Sequence, residues 1–122
     1  MDGIIIINKP KGYTSHDIVA KIKNITNSSK VGHTGTLDPN ATGVLPILVG
    51  QGTKLSQYLI NHDKEYEVVL QLGKKTTTAD GEGEVIETRK INFENLKEEY
   101  IKQVFQTFLG KQEQVPPMFS AI

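Results

Sequence analysis

The sequence predicts an α+β domain, and three observations carry that expectation. Apolar runs of strand length are punctuated by Gly, Pro, Asn and Ser. Two other stretches repeat apolar residues at helical spacing. Hydrophobic residues make up 37% and charged residues 23% of 122 positions, a balance that allows a packed core and argues against intrinsic disorder.

Taken in order, Ile4 to Ile7 form a β-branched run that stops at Asn8-Lys9-Pro10-Lys11-Gly12, a buried strand entering a turn. Thr14 and Asp17 have the spacing of a capping box, and Ile18, Val19, Ile22 and Ile25 then mark the inner face of a helix, with Lys21 and Lys23 outside. Asn27-Ser28-Ser29 breaks it. Residues 31–43 show neither period, and the apolar run Val44 to Val49 that follows is a strand; Pro46 places it at a sheet edge or makes it irregular. Thr53 can cap a short helix through Leu55, Tyr58 and Leu59. Tyr66, Val68, Leu70 and Leu72 alternate as a half-buried strand, with Glu84 to Thr88 as partner beyond the polar loop 76–83. Leu96, Tyr100, Ile101, Val104, Phe105, Phe108 and Leu109 mark a second amphipathic helix with Gly110 as its stop. Lys111 to Val115 reads as one more strand, and the apolar ending through Ile122 suggests a truncated domain.

The chain has no cysteine, so disulfides and thiolate zinc sites are excluded. Four isoleucines are too short a run for a signal-peptide core or a membrane span, so a soluble, cytoplasmic protein with no membrane association is expected. Net charge is zero, but its distribution is uneven. Residues 1–79 carry nine lysines against six acids, and residues 80–122 five basic residues against eight acids, which directs any RNA contact toward the first part.

The candidate chemistry lies in Gly32-His33-Thr34-Gly35-Thr36-Leu37-Asp38-Pro39-Asn40-Ala41-Thr42-Gly43. Pro39 fixes its own φ and biases Asp38 toward an extended backbone, aiming the carboxylate out of the turn. Such a carboxylate can serve as nucleophile or base; equally, Asp-Pro is a common turn dipeptide whose side chain bonds a nearby N–H. His33 admits a surface or hydrogen-bonding role as readily as a functional one. With His16 and His62 in separate segments, no metal triad is expected. Neither nucleotide-binding glycine fingerprint is present.

The segment from Gly32 to Pro39, continued by Ala41-Thr42-Gly43-Val44-Leu45-Pro46, resembles the signature of the TruB family of tRNA pseudouridine synthases. Three further segments agree in order and approximate spacing: Asn8 to Gly12, Thr53-Lys54 through Leu59 with Lys64-Glu65-Tyr66, and Val115 to Ala121. The resemblance implies the pseudouridine synthase fold, a mixed and mostly antiparallel sheet with flanking helices. Residues 1–122 would be the N-terminal part of its catalytic domain, without the remainder or a C-terminal RNA-binding domain. It implies isomerisation of the T-loop uridine at position 55, with Asp38 as the catalytic aspartate and no cofactor. It further implies that Tyr66 stacks on the flipped uracil and that His33 wedges into the T-loop. Gly35, Thr36, Lys9 and Lys64 join the RNA-facing residues, and Thr77 to Asp80 resembles a mobile loop that closes over RNA. The partner implied is the tRNA T-arm, with no obligatory protein partner, and the isolated piece is expected to be inactive. Two rivals remain: a non-catalytic tRNA-binding or chaperone module, and a hydrolase pairing Asp38 with His33 or Asp80. Without the resemblance, a core role at a strand start is the ordinary expectation for Tyr66.

Overall fold

The computed structural model describes residues 1–116; the part of the Val115–Ala121 segment beyond Pro116 lies outside the described residues. The chain divides into two compact units, residues 1–65 and residues 66–122. Both are built from helices and antiparallel strands, as the α+β expectation requires.

In the first unit, β1 (Gly3–Lys9), β2 (Val31–His33) and β3 (Gly43–Val49) form one antiparallel sheet in the order β1-β3-β2. The register pairs Ile5 with Ile47, Ile7 with Leu45 and Gly32 with Leu48. Successive side chains in a strand point to opposite faces. Leu45, Ile47 and Val49 therefore share a face, and they join Ile18 and Val19 of α1 (Ser15–Thr26) in the buried core, with Ile5, Ile7, Ile22, Val31 and Leu37 packed around them.

The start of α1 follows the predicted chemistry. Thr14 Oγ1 accepts from the Asp17 N–H at 3.0 Å, and Asp17 Oδ2 accepts from the Thr14 N–H at 2.8 Å, a reciprocal capping box. Asn27 ends the helix in the left-handed region at φ 49°. Ile25 departs from expectation: it is exposed and outside the core cluster. It shares the azimuth of Ile18 but sits in the last turn, about 10 Å further along the axis.

Pro46 corrects a second expectation, because β3 is the central strand. The Pro46 carbonyl accepts from the Thr34 N–H at 3.2 Å, so its nitrogen faces the same side, just past the point where β2 ends at His33. The bonds to β1 come from Leu45 and Ile47, and a proline at 46 removes none of them.

Beyond β3, a 3-10 turn over Gly50–Leu55 leads into the short α2 (Ser56–Leu59). Thr53 lies inside that turn, donating to the Gly50 carbonyl, rather than capping it. Gly52 is buried where the chain passes the start of β1. A Cβ there would stand 2.3 Å from the Gly3 carbonyl oxygen.

The second unit holds a hairpin of β4 (Lys74–Thr76) and β5 (Val85–Thr88), followed by α3 (Glu98–Gln106). β5 matches the expected partner strand, but its neighbour is 74–76 rather than 66–72. Among the described residues, 66–72 have no strand pairing, and Tyr66, Val68, Val69, Leu70 and Leu72 are exposed. Alternation marks a strand only when another strand supplies its hydrogen bonds. The same reason applies to 111–115, which is irregular. α3 ends three residues before Leu109, and Gly110 adopts φ 89° beyond it.

Candidate active-site loop

The loop between β2 and β3 carries Asp38, and its flanks are held on both sides. Before Asp38, the Ser15 hydroxyl accepts from the Leu37 N–H at 3.0 Å and lies 3.2 Å from the Leu37 carbonyl, to which it donates. After it, the Pro39 carbonyl accepts from the Gly12 N–H at 2.8 Å and from Lys9 Nζ at 3.2 Å. The Asp38 carbonyl takes the Ala41 N–H at 3.0 Å, closing a turn with Pro39 at its second position. The Asp38 side chain itself is exposed. An accessible carboxylate on a fixed backbone is the arrangement that nucleophilic or basic catalysis requires.

Lys9 plays a different part from the one expected of it. Its side chain is fully buried, and Nζ donates to the carbonyls of Pro10, Tyr13 at 2.6 Å, and Pro39. It faces the core because residues 5, 7 and 9 of β1 share a side. A buried ammonium is tolerated when its three donors are satisfied, as here. Lys9 therefore braces the Asp38 loop from within, its ammonium turned to backbone carbonyls and not to the surface. This corrects its placement among the RNA-facing residues.

His33 is half-buried, and its Nδ1 lies 2.6 Å from the Gly35 carbonyl. A carbonyl only accepts, so the Nδ1 proton points there and, in the neutral ring, Nε2 is left as the acceptor. Gly35 adopts φ 75°, and a Cβ on it would meet Lys64 Cε at 3.4 Å. Lys64 is thus laid beside the loop, with Nζ 3.4 Å from the Ile60 carbonyl. Thr36 is exposed, whereas Thr34 is buried, and among the described residues its Oγ1 has no hydrogen-bond partner. The structure accordingly brings His33, Gly35, Thr36, Asp38 and Lys64 to one part of the first unit.

Tyr66, Thr77 and Asp80 belong to the second unit. Tyr66 is exposed in irregular chain, so the core alternative for it is overturned. Asp80 organises the β4–β5 loop: Oδ1 accepts from the Thr78 hydroxyl at 2.6 Å and from the Glu82 N–H at 2.8 Å. Those bonds hold its carboxyl below the ordinary value of 3.8, the Thr78 hydroxyl contributing most. Thr77 is half-buried and its N–H reaches the Glu84 carbonyl at 3.0 Å. An open depression of about 450 Å³, lined by Gly73, Lys74, Lys75, Glu87, Arg89 and Ile91, borders none of the candidate residues.

Ser15 was not singled out from sequence, and Gly12 was read only as part of the turn after the first strand and of a segment resembling the family. A serine one position past a helix cap carries no pattern that announces a bond to residue 37. Among the described residues, no group of three His, Cys, Asp or Glu side chains could hold a metal ion, and no helix is long and apolar enough to cross a membrane.

Comparison with known proteins agrees over the whole length. The chain is 50% identical over 122 residues to tRNA pseudouridine synthase B of Buchnera aphidicola subsp. Baizongia pistaciae, covering all of this chain and 39% of that protein. It is 52% identical to the protein of the same name from Pediococcus pentosaceus, covering 40% of it. The chain therefore spans about two-fifths of the length of these curated relatives. Among solved structures, a chain in the crystal structure of a Cbf5-Nop10-Gar1 complex matches with a TM-score of 0.60 and 32% identity, covering 98% of this chain and 30% of that one. Residues 23–122 match the N-terminal domain of the TruB family of pseudouridylate synthases.

Proposed function

Because the chain belongs to the TruB family of pseudouridylate synthases, we propose that it is the N-terminal part of a catalytic domain that isomerises the T-loop uridine of tRNA, position 55, to pseudouridine. The observation that carries this reading is the exposed Asp38 on a loop whose two flanking residues are both tied to buried anchors.

The reaction breaks the C1′–N1 glycosidic bond, turns the uracil and joins C5 to C1′. N1 gains a proton and C5 loses one, so atoms and electrons balance without a redox partner or group donor, and no cofactor is called for. Asp38 acts as nucleophile or proton acceptor in that sequence. A uridine inside a folded loop must be everted first, at a cost of a few kcal/mol. Stacking on an aromatic face returns about 1–3 kcal/mol, the role proposed for the exposed ring of Tyr66. His33, Gly35, Thr36 and Lys64 lie beside the Asp38 loop and are proposed to meet the RNA, His33 as the wedge. Thr77 and Asp80 are proposed to contact it from the β4–β5 loop. The T-arm is the proposed partner, no obligatory protein partner is invoked, and the cytoplasm is the proposed compartment.

The test uses the complete polypeptide that carries these residues, with T-arm RNA tritiated at C5 of the target uridine. Asp38→Asn should abolish tritium release while RNA binding is retained. Release at the parental rate by Asp38→Asn would overturn the reading and leave a module that binds tRNA without chemistry. The 122-residue chain by itself should release tritium far more slowly than the complete polypeptide.

A further inference from the structure

We propose that Ser15 is a positioning residue for Asp38, acting through the Leu37 backbone; the proposal rests on the catalytic reading of Asp38 given above. Ser15 opens α1, where a hydroxyl would ordinarily serve the free N–H groups of its own helix. Thr14 already does this through the capping box. The Ser15 side chain is turned instead to a residue 22 positions away, and it is 2% exposed.

A serine hydroxyl offers one donor and two acceptor sites. Here one donor and one acceptor site are both spent on Leu37, binding its N–H and its carbonyl at once. The Leu37 side chain packs against the core cluster. Leu37 is therefore fixed at backbone and side chain together, and its carbonyl carbon leads directly to the nitrogen of Asp38. On the far side, Pro39 is held by Gly12 and Lys9. Between two fixed neighbours the carboxylate keeps only its own side-chain torsions. Loss of the Ser15 hydroxyl frees the Leu37 peptide to turn toward water, and the reacting oxygen moves with it. Misplacement by about 1 Å lowers turnover by on the order of 100-fold.

The measurement compares Ser15→Ala, Thr26→Ala and Asp38→Asn in the complete polypeptide, by tritium release at several concentrations of T-arm RNA. Thr26 donates to the Ile22 carbonyl within the same helix and has no bond to the loop, so it reports loss of a helix hydroxyl alone. Ser15→Ala should lower kcat by on the order of 10- to 100-fold with KM within about twofold. Thr26→Ala should leave kcat at the parental value. A parental kcat for Ser15→Ala, or an equal fall in Thr26→Ala, overturns the proposal. Should Ser15→Ala not fold, Ser15→Cys keeps a donor at the same position, weaker and on a somewhat larger atom, and should give an intermediate kcat; a parental kcat there also overturns it. Parental turnover by Asp38→Asn would instead sink the reading beneath, so the two failures are distinguishable.

Discussion

Residues 1–65 and residues 66–116 both carry amphipathic segments, but only the first set buries them. α1 lays Ile18 and Val19 on a sheet face made by Leu45, Ile47 and Val49. α3 has an apolar stripe of its own, yet Tyr100, Ile101, Val104 and Phe105 stay exposed, and none of the described residues from 66 onward is buried. An amphipathic pattern specifies that a face is to be covered, not what covers it. The candidate site follows the same division. Asp38 stands on the part with a core, where a backbone can be fixed from below.

The sharpest way to break this contrast is to cut one apolar side chain from each region of the 122-residue chain and follow urea unfolding. Ile47 is fully buried, so Ile47→Ala should cost about 2–5 kcal/mol in unfolding free energy. Phe105 is exposed, and Phe105→Ala should change it by less than about 0.5 kcal/mol. Equal losses would mean that α3 is packed as firmly as α1, and the division would fall.

A second comparison sets two lysines of the first unit against each other. Lys9→Met takes the Nζ donor from the carbonyls of Pro10 and Tyr13 and should cost about 1–3 kcal/mol. Lys64→Met removes an exposed ammonium and should leave stability within about 0.5 kcal/mol. Glycines offer a third contrast, smaller in size. Gly52→Ala drives a Cβ to within 2.3 Å of the Gly3 carbonyl oxygen and should destabilise by about 1–3 kcal/mol. Gly81→Ala in the second unit meets nothing within 4 Å and should be close to neutral.

What was legible in the sequence divides by how local its cause is. The capping box, the helix break at Asn27 and the turn at Asp38-Pro39 depend on residues within four positions of each other, and each is present as read. Pro46 and Lys9 were misread because their surroundings are set by chain far away. A proline fits a central strand only if the neighbour ends in time, and β2 does so at His33. A lysine after four isoleucines looks solvent-bound until a loop from residue 39 brings it a carbonyl. The strand expected at 66–72 failed for the converse reason, because no long-range partner pairs with it among the described residues. In the candidate site, Asp38 was visible as a residue type in a glycine-rich loop. Its bracing by Ser15, Gly12 and Lys9 was not, since hydrogen bonds spanning 22 to 30 positions leave no periodic trace.

The finest test of the contrast between the two regions is their response to acid. Each holds one carboxylate below the ordinary value of 3.8: Asp17 chiefly through the Thr14 N–H, and Asp80 chiefly through the Thr78 hydroxyl. A carboxyl with a lowered folded value binds a proton less readily when folded than when unfolded. Its contribution is therefore complete above the unfolded value and is lost as pH falls through the folded one. Both groups are exposed, so each effect is small. Their consequences should differ, because Asp17 anchors a helix that packs on the core, whereas Asp80 ties only its own loop. Acidification below about pH 4 should lower the unfolding midpoint of the parent more than that of Asp17→Asn. Asp80→Asn should track the parent in that measurement, while hydrogen exchange at the Glu82 amide speeds up. If Asp80→Asn flattened the pH dependence of global unfolding as much as Asp17→Asn does, residues 66–116 would have to unfold together with the first unit's core.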